Sequence, residues 1–174
     1  MPDSKFAEAL NAQIGEEFAA HQQYVAIAVH YDVLTLPQMA TFFYRQAREE
    51  RNHAMMMVRY LIDTDSTVEI PAVAAPQCHF EGVVTPVEVA VAQEKTVTRQ
   101  IHRLTAIARE ENDFSAEQFM QWFIKEQVEE VATMQDLLTV TRRSEDALND
   151  LETYVERELG AQGDDATAPP VADG

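Results

Sequence analysis

Glu50 and His53 lie three positions apart in the run Arg48-Glu49-Glu50-Arg51-Asn52-His53. Around them Met39, Phe43, Ala47, Ala54, Met57 and Leu61 recur at three and four residues, the pattern of one buried helix face. Glu50 falls inside that stripe, where a carboxylate is costly to strip of water. Side chains at i and i+3 leave a helix on the same face, so the acid and the imidazole project into the core together. That spacing suits a metal ion, although a lone Glu-x-x-His also arises often by chance.

The same oddity recurs along the chain. Glu17 interrupts a stripe of Leu10, Ile14, His21, Tyr24 and Ala28, and Glu94 interrupts Val87, Val91, Val97, Ile101 and Leu104. Gln127 and Glu130 interrupt Phe119, Phe123, Met134, Leu137 and Thr141. Glu17 to Glu50 is 33 residues, and so is Glu94 to Gln127. A shift of 77 carries Glu17 to Glu94, Glu49 to Glu126, Glu50 to Gln127 and His53 to Glu130. The chain therefore reads as a repeated helical hairpin with its polar core positions kept in register.

Four acids and an imidazole in low dielectric cannot all carry their charge without cations between them. Oxygen ligands with one nitrogen suit iron(II) or manganese(II), with zinc as a competitor. In a two-metal arrangement Glu17, Glu50 and His53 hold the first ion. Glu50 bridges to a second held by Glu94 and Glu130, with Gln127 beside it. Such a pair can pass two electrons to dioxygen. The competing reading is a core whose acids are protonated or paired with Arg48, Arg51 or Arg99. Five residues meeting the repeat favour metal.

Neighbouring residues have more than one use. Tyr24 would bond Glu94, supply an electron or simply pack, and Trp122 shares that ambiguity. His21 reads as a hydrogen-bonded core histidine, and Met55, Met56 and Met57 as packing. Glu49, Glu126 and Glu129 sit a step around the helix from the core positions, as an adjacent acidic site or as solvated surface.

At 174 residues the chain suits one domain, and its formal charge of -17 opposes nucleic-acid binding while attracting cations. Cys78 is the only cysteine, which excludes an intrachain disulfide and a rubredoxin-type centre. No stretch reads as a membrane span or a leader, so a cytoplasmic protein is expected.

The expected fold is all-α. Ser4 or Asp3 caps a first helix from about Lys5 to Val33, and Pro37 opens a second reaching Asp63 or Thr64. Residues from Asp65 to Val84 break the periodicity and are long enough to cross over along the bundle. Thr85-Pro86-Val87-Glu88 reads as a capping box for a third helix ending near Glu111, and Ser115-Ala116-Glu117-Gln118 as another for a fourth reaching about Thr141. Ser144 caps a short fifth helix with Leu148, Leu151, Val155 and Leu159 on one face, stopped near Gly160. A short amphipathic helix after a complete bundle needs a surface to cover it, which argues for assembly. One domain over residues 1–160 and a disordered acidic tail over 161–174 follow.

Four long helices, one long crossover between the second and third, and a short fifth describe a ferritin-like four-helix bundle, matched here to the known pattern of di-iron carboxylate proteins. The chain resembles bacterial non-haem ferritins, especially the actinobacterial type, over roughly residues 5–160. The resemblance is carried by Gly15-Glu16-Glu17-Phe18 through Gln23-Tyr24, by Glu49-Glu50-Arg51-Asn52-His53, and by Phe119-Met120-Gln121-Trp122-Phe123 through Glu126-Gln127-Val128-Glu129-Glu130. It implies a hollow shell of twenty-four copies, oxidation of iron(II) by dioxygen or peroxide, and storage of ferric mineral inside. By position, Glu17, Glu50, His53, Glu94 and Glu130 are similar to ferroxidase ligands, with Gln127 close by. Glu49, Glu126, Glu129 and Glu130 match a third iron site, and Tyr24 and Trp122 match redox-assisting aromatics.

The departures narrow the resemblance. Haem-binding bacterioferritins have His where this chain has Glu130, and ligate haem through a methionine where it has Arg51, so no haem is expected. Mini-ferritins that protect DNA often carry basic tails, and this tail is acidic. Eukaryotic shells line a pore with two acids; Glu117 matches one and Met120 replaces the other. A di-iron redox enzyme that reduces peroxide, or a haem-containing bacterioferritin-like protein, is the alternative function. Docking of the tail to an encapsulating shell is a further role the resemblance leaves open.

Overall fold

Ser4 opens the first helix as its type suggests, accepting a hydrogen bond from the Ala7 amide at 3.0 Å. The computed structural model describes residues 4–161 and 163–173, so Asp3, the other candidate cap, lies outside the described residues. Five helices follow: α1 Lys5–Val33, α2 Pro37–Asp63, α3 Thr85–Glu110, α4 Phe114–Arg143 and α5 Leu148–Glu158. No strand occurs among the described residues. α1 pairs with α2 and α3 with α4, joined by short turns that make each pair antiparallel.

The crossover between α2 and α3 is pinned along α1. The Asn11 amide donates to the Glu69 carbonyl at 2.7 Å and accepts from the Glu69 N–H at 2.8 Å. Gln23 does the same to Gln77, at 2.9 Å each way. Farther up, His30 Nε2 lies 2.7 Å from the Gly82 carbonyl and the Tyr31 hydroxyl donates to Val83 at 2.6 Å. Crossover and α1 thus run in the same direction, and α3 starts beside the end where α2 starts. Gly15 permits a close approach, since a Cβ there would lie 3.0 Å from Cβ of Pro71.

Three caps differ from expectation. α3 already includes Thr85, because Val84 adopts helical angles and its carbonyl accepts from Val87 and Glu88. The Thr85 hydroxyl is therefore one residue too late to cap. α4 starts earlier than Ser115 because Asp113, placed by the left-handed turn at Asn112 (φ 57°), accepts from Ala116 at 2.9 Å. Ser144 ends α4 rather than opening α5, which starts after Ala147.

α5 buries Leu151 and Val155 within this same chain, against the cluster containing Met39, Phe42 and Leu137. Each such side chain is worth ~1.5–3 kcal/mol. Gln38 N–H donates to Glu152 and Arg45 donates to the Leu159 carbonyl, both at 2.6 Å. Leu151 and Val155 of the fifth helix are thereby covered within the chain, while Leu148 and Leu159 on the same face stay half-buried.

Of the terminal residues 161–174, expected to be disordered, the described residues 163–173 lie along α2 and α4. Ala168, Val171 and Ala172 pack on the cluster that includes Met55, Phe119 and Trp122. Ala172 N–H donates to the Met55 carbonyl at 3.2 Å, and Arg51 pairs with Asp173.

Two apolar clusters fill the bundle. One holds Tyr24, Tyr31, Phe43, Val91 and Met134, and the other holds Leu10, Ile14, Met57, Ile101 and Phe123. Each long helix passes from one cluster to the other at its interrupting polar residue. Tyr31 sits at the landing of the crossover, fully buried, and its phenol stays protonated well above the usual range because burial disfavours the anion. Replacing it with Phe leaves the Val83 carbonyl without its donor, and is expected to lower unfolding stability by ~1–3 kcal/mol. A guanidinium midpoint equal to wild type would show that this bond contributes nothing.

Candidate metal centre

Glu17 on α1, Glu50 and His53 on α2, Glu94 on α3, and Gln127 and Glu130 on α4 converge between the two clusters. All six are at most 5% exposed. His53 Nδ1 lies 3.3 Å from Glu50 Oε2 and 3.8 Å from Glu17 Oε2. Two triads, Glu17–Glu50–His53 and Glu50–Glu94–Glu130, each bring three ligand atoms within 4.8 Å of one another, and Glu50 belongs to both. A third triad joins His53 and Glu130 to half-buried Glu126.

No arginine or lysine pairs with Glu17, Glu50, Glu94 or Glu130 among the described residues. Arg51 is paired with Asp173, and Arg99 donates to Thr96. Of the oxygens on these four acids, three are left buried with no hydrogen-bond partner: Glu17 Oε2 and both oxygens of Glu130. Such atoms are expensive unless something outside the protein completes them. Their hard-oxygen character, with one imidazole, fits a divalent cation such as iron(II).

Without a cation, this cluster must hold protons. Burial, reinforced by Glu94 and Glu17, raises Glu50 well above the carboxylate range. Burial followed by Glu50 and Glu94 does the same to Glu130. Glu94 is pushed up to about 7, first by burial, with Tyr24 opposing the shift and Glu17 adding to it. Burial pulls the His53 imidazole down, but Glu130, Glu17 and Glu126 outweigh it and the net shift is upward.

The surrounding residues sort by contact. The Tyr24 hydroxyl donates to Glu94 Oε1 while its ring packs against Phe43, so the geometry displays two of its three sequence readings. Gln127 Nε2 donates to Glu94 Oε2 and to Thr98 Oγ1, each at 3.2 Å. His21 Nδ1 meets the Ala47 carbonyl at 2.6 Å, a hydrogen-bonded core role. Met56 and Met57 are packed in the core. Trp122 stands edge-on to His53 at 5.5 Å, with its N–H donated to Asp165 of the terminal segment at 3.0 Å.

Of the outer acids, only Glu126 joins a triad; burial raises it, and Glu129, Glu49 and Asp165 add to that. Glu49 is half-buried, bonded by Gln46 and 3.9 Å from Arg45, and Glu129 is exposed. Met120 is fully buried, so it does not stand beside Glu117 on the surface, where Glu117 pairs with Arg109 at 2.6 Å.

Sequence reasoning passed over two residues at the site. Gln13, buried one turn before Glu17, donates to Glu17 Oε1 at 2.9 Å. Its signal was a polar residue four positions before an interrupting acid in the same stripe. Asp165 had none, because its partner Trp122 is remote in sequence.

Comparison with known proteins agrees with this geometry. The ferritin-like domain family matches residues 7–144. The chain is 51% identical to Ferritin BfrB of Mycolicibacterium smegmatis over 99% of its own length and 95% of the relative's. It is 35% identical to the bacterial non-heme ferritin of Staphylococcus aureus, over 93% and 97% of the two chains. An open-pore ferritin from the archaeon Archaeoglobus fulgidus superposes with a TM-score of 0.85 at 29% identity, covering 92% of this chain and 99% of the other. With the fold, the coverage and the identity in agreement, this chain belongs to the ferritin family.

Proposed function

We propose that this protein stores iron and oxidises it as it arrives: iron(II) is the substrate, the Glu17–Glu50–His53 and Glu50–Glu94–Glu130 triads are its binding positions, and dioxygen or peroxide is the oxidant. The observation that carries the reading is the set of unpartnered buried oxygens on Glu17 and Glu130, each in a triad that no arginine or lysine completes among the described residues. The relatives named as ferritins support iron storage, and in this reading the store is ferric mineral inside a twenty-four-copy shell. A cytoplasmic location fits that role, and among the described residues no helix is long and apolar enough to cross a membrane.

The chain's own residues supply charge, geometry and protons. Glu50, shared by both triads, is the natural bridge between two cations. Each iron(II) surrenders one electron, and the pair reduces dioxygen with two protons to hydrogen peroxide. Trivalent iron pulls harder on carboxylates than divalent iron, so the oxidised product is favoured by the same four acids. Trp122 and Phe123, edge-on to His53 at 5.5 and 5.7 Å, keep water from its ring. Glu126, in reach of His53 and Glu130, offers an oxygen on the way out toward Glu49 and Glu129, which together make the third iron site in this reading. Arg51 offers no sulfur for a haem, and the protein is expected to lack one.

Aerobic iron(II) addition to the purified assembly tests the reading. The double variant Glu50→Ala, His53→Ala is expected to slow the initial oxidation on the order of tenfold or more. Oxidation at the wild-type rate would remove the site assignment. Particle mass by native mass spectrometry should correspond to twenty-four chains; a monomer or dimer would remove storage.

Protonation gives a second test. Glu94 holds its proton up to about 7, and Glu50 and Glu130 are raised too, so cation binding must expel protons. Anaerobic addition of zinc(II) in weak buffer should release more protons per site at pH 6 than at pH 8.5. The linked sign is that raised carboxyl values favour the metal-free fold below about 4.5 and lose that advantage as pH rises through about 7. With chelator present, the melting temperature of wild type should therefore fall relative to Glu94→Gln across that window. Parallel profiles would show that Glu94 is not protonated in the fold.

A further inference from the structure

Glu17 is held on one side only. Its Oε1 accepts from Gln13 Nε2 at 2.9 Å, whereas its Oε2 is buried, unpartnered and 3.8 Å from His53 Nδ1. The same Gln13 nitrogen donates its second hydrogen to Gln100 Oε1 on α3 at 3.0 Å. Gln100 in turn donates to Glu16 Oε2 at 3.1 Å, at the exposed edge of the α1–α3 groove. A chain of amides thus runs from the surface to one oxygen of one buried carboxylate.

The second half of the repeat has no amide four residues before its acid. The position 77 after Gln13 is Ala90. Glu94, the counterpart of Glu17, has both oxygens bonded, by Tyr24 and by Gln127. The two halves therefore present their carboxylates to a cation in different ways.

We infer that Gln13 is a positioning residue that ties down Glu17 Oε1 and presents Oε2 alone to the first metal position, with Gln100 bracing it from α3. Both hydrogens of the Gln13 amide are committed, so its plane cannot turn without breaking one of the bonds. A carboxylate with one oxygen engaged by a donor binds a cation through the other, and an outer partner of this kind typically governs 10–100-fold in metal affinity. The inference rests on the reading of the triads as cation positions and adds which atom of Glu17 serves and what holds it.

Cobalt(II), added without oxygen to the intact wild-type assembly, is the probe, read by calorimetry and by visible absorption. Gln13→Met keeps the volume of the side chain and removes the donor. It is expected to weaken one of the two binding steps on the order of tenfold and leave the other near wild type. The visible bands should also lose intensity, as Glu17 becomes free to chelate with both oxygens and the coordination number rises. Gln100→Met, at a half-exposed position, should weaken the same step by a smaller factor, and the double variant should be no weaker than Gln13→Met alone. If Gln13→Met does not assemble, Gln100→Met decides by itself. Wild-type affinity and spectrum in both single variants would overturn the role of Gln13 while leaving the metal centre standing. Equal weakening of both steps would also overturn it, as general loosening of the bundle. A wild-type assembly that binds no cobalt would remove the metal centre itself.

Discussion

The constraint on which this molecule turns is a layer of carboxylates buried between two apolar clusters. Four helices each break their hydrophobic stripe at the same level, and the four acids there meet one imidazole and no guanidinium among the described residues. Such a layer costs stability in either available state of the bare protein. Ionised, the acids repel in low dielectric; protonated, they keep carboxyl oxygens that find no donor. Burial and mutual repulsion raise Glu50, Glu94 and Glu130, so those three acids tend to keep their protons in a metal-free chain below neutral pH. A divalent cation relieves both penalties together, which is why the site reads as a place for metal rather than as a polar core.

Holding that layer in register falls to the helices and to what ties them lengthwise. The α1–α2 and α3–α4 pairs are set by short turns, and the crossover adds lengthwise anchors between the hairpins to the Gln13–Gln100 and Tyr24–Glu94 hydrogen bonds that join α1 to α3. It is anchored by Asn11 and Gln23, two amides that each give and take a backbone hydrogen bond, and by Tyr31 at the far end. A slip of α3 by one turn would carry Glu94 away from Tyr24 and Gln127. The extended segment thus fixes a distance inside the core that no helix fixes alone.

The halves of the repeat have diverged where chemistry is concerned. His53 in the first half answers to Glu130 in the second, so one triad has a nitrogen and the other is all oxygen. Trp122 closes the site from α4 and is itself capped by Asp165, tying the terminal segment to the aromatic wall beside His53. The repeated hairpin thus presents two unlike triads that share Glu50.

The helices and the converging acids were legible in the chain itself, because a 3.6-residue period and a charge inside an apolar stripe are local signals. Met39, Phe43, Ala54 and Leu61 are buried as their spacing implies, and α1 spans Lys5–Val33 as read. The caps were less legible: Asp113 outcompeted Ser115 because the backbone at Asn112, not residue type, chose which side chain could reach the first turn. Long-range partners were not legible at all. That α5 finds its cover on α2, that Asp165 reaches Trp122, and that Gln100 steadies Gln13 depend on which surfaces meet after the hairpins dock. The order of residues therefore determined which side chains had to be buried and which of them would object to it; the tertiary packing alone decided which atoms were left to satisfy those objections.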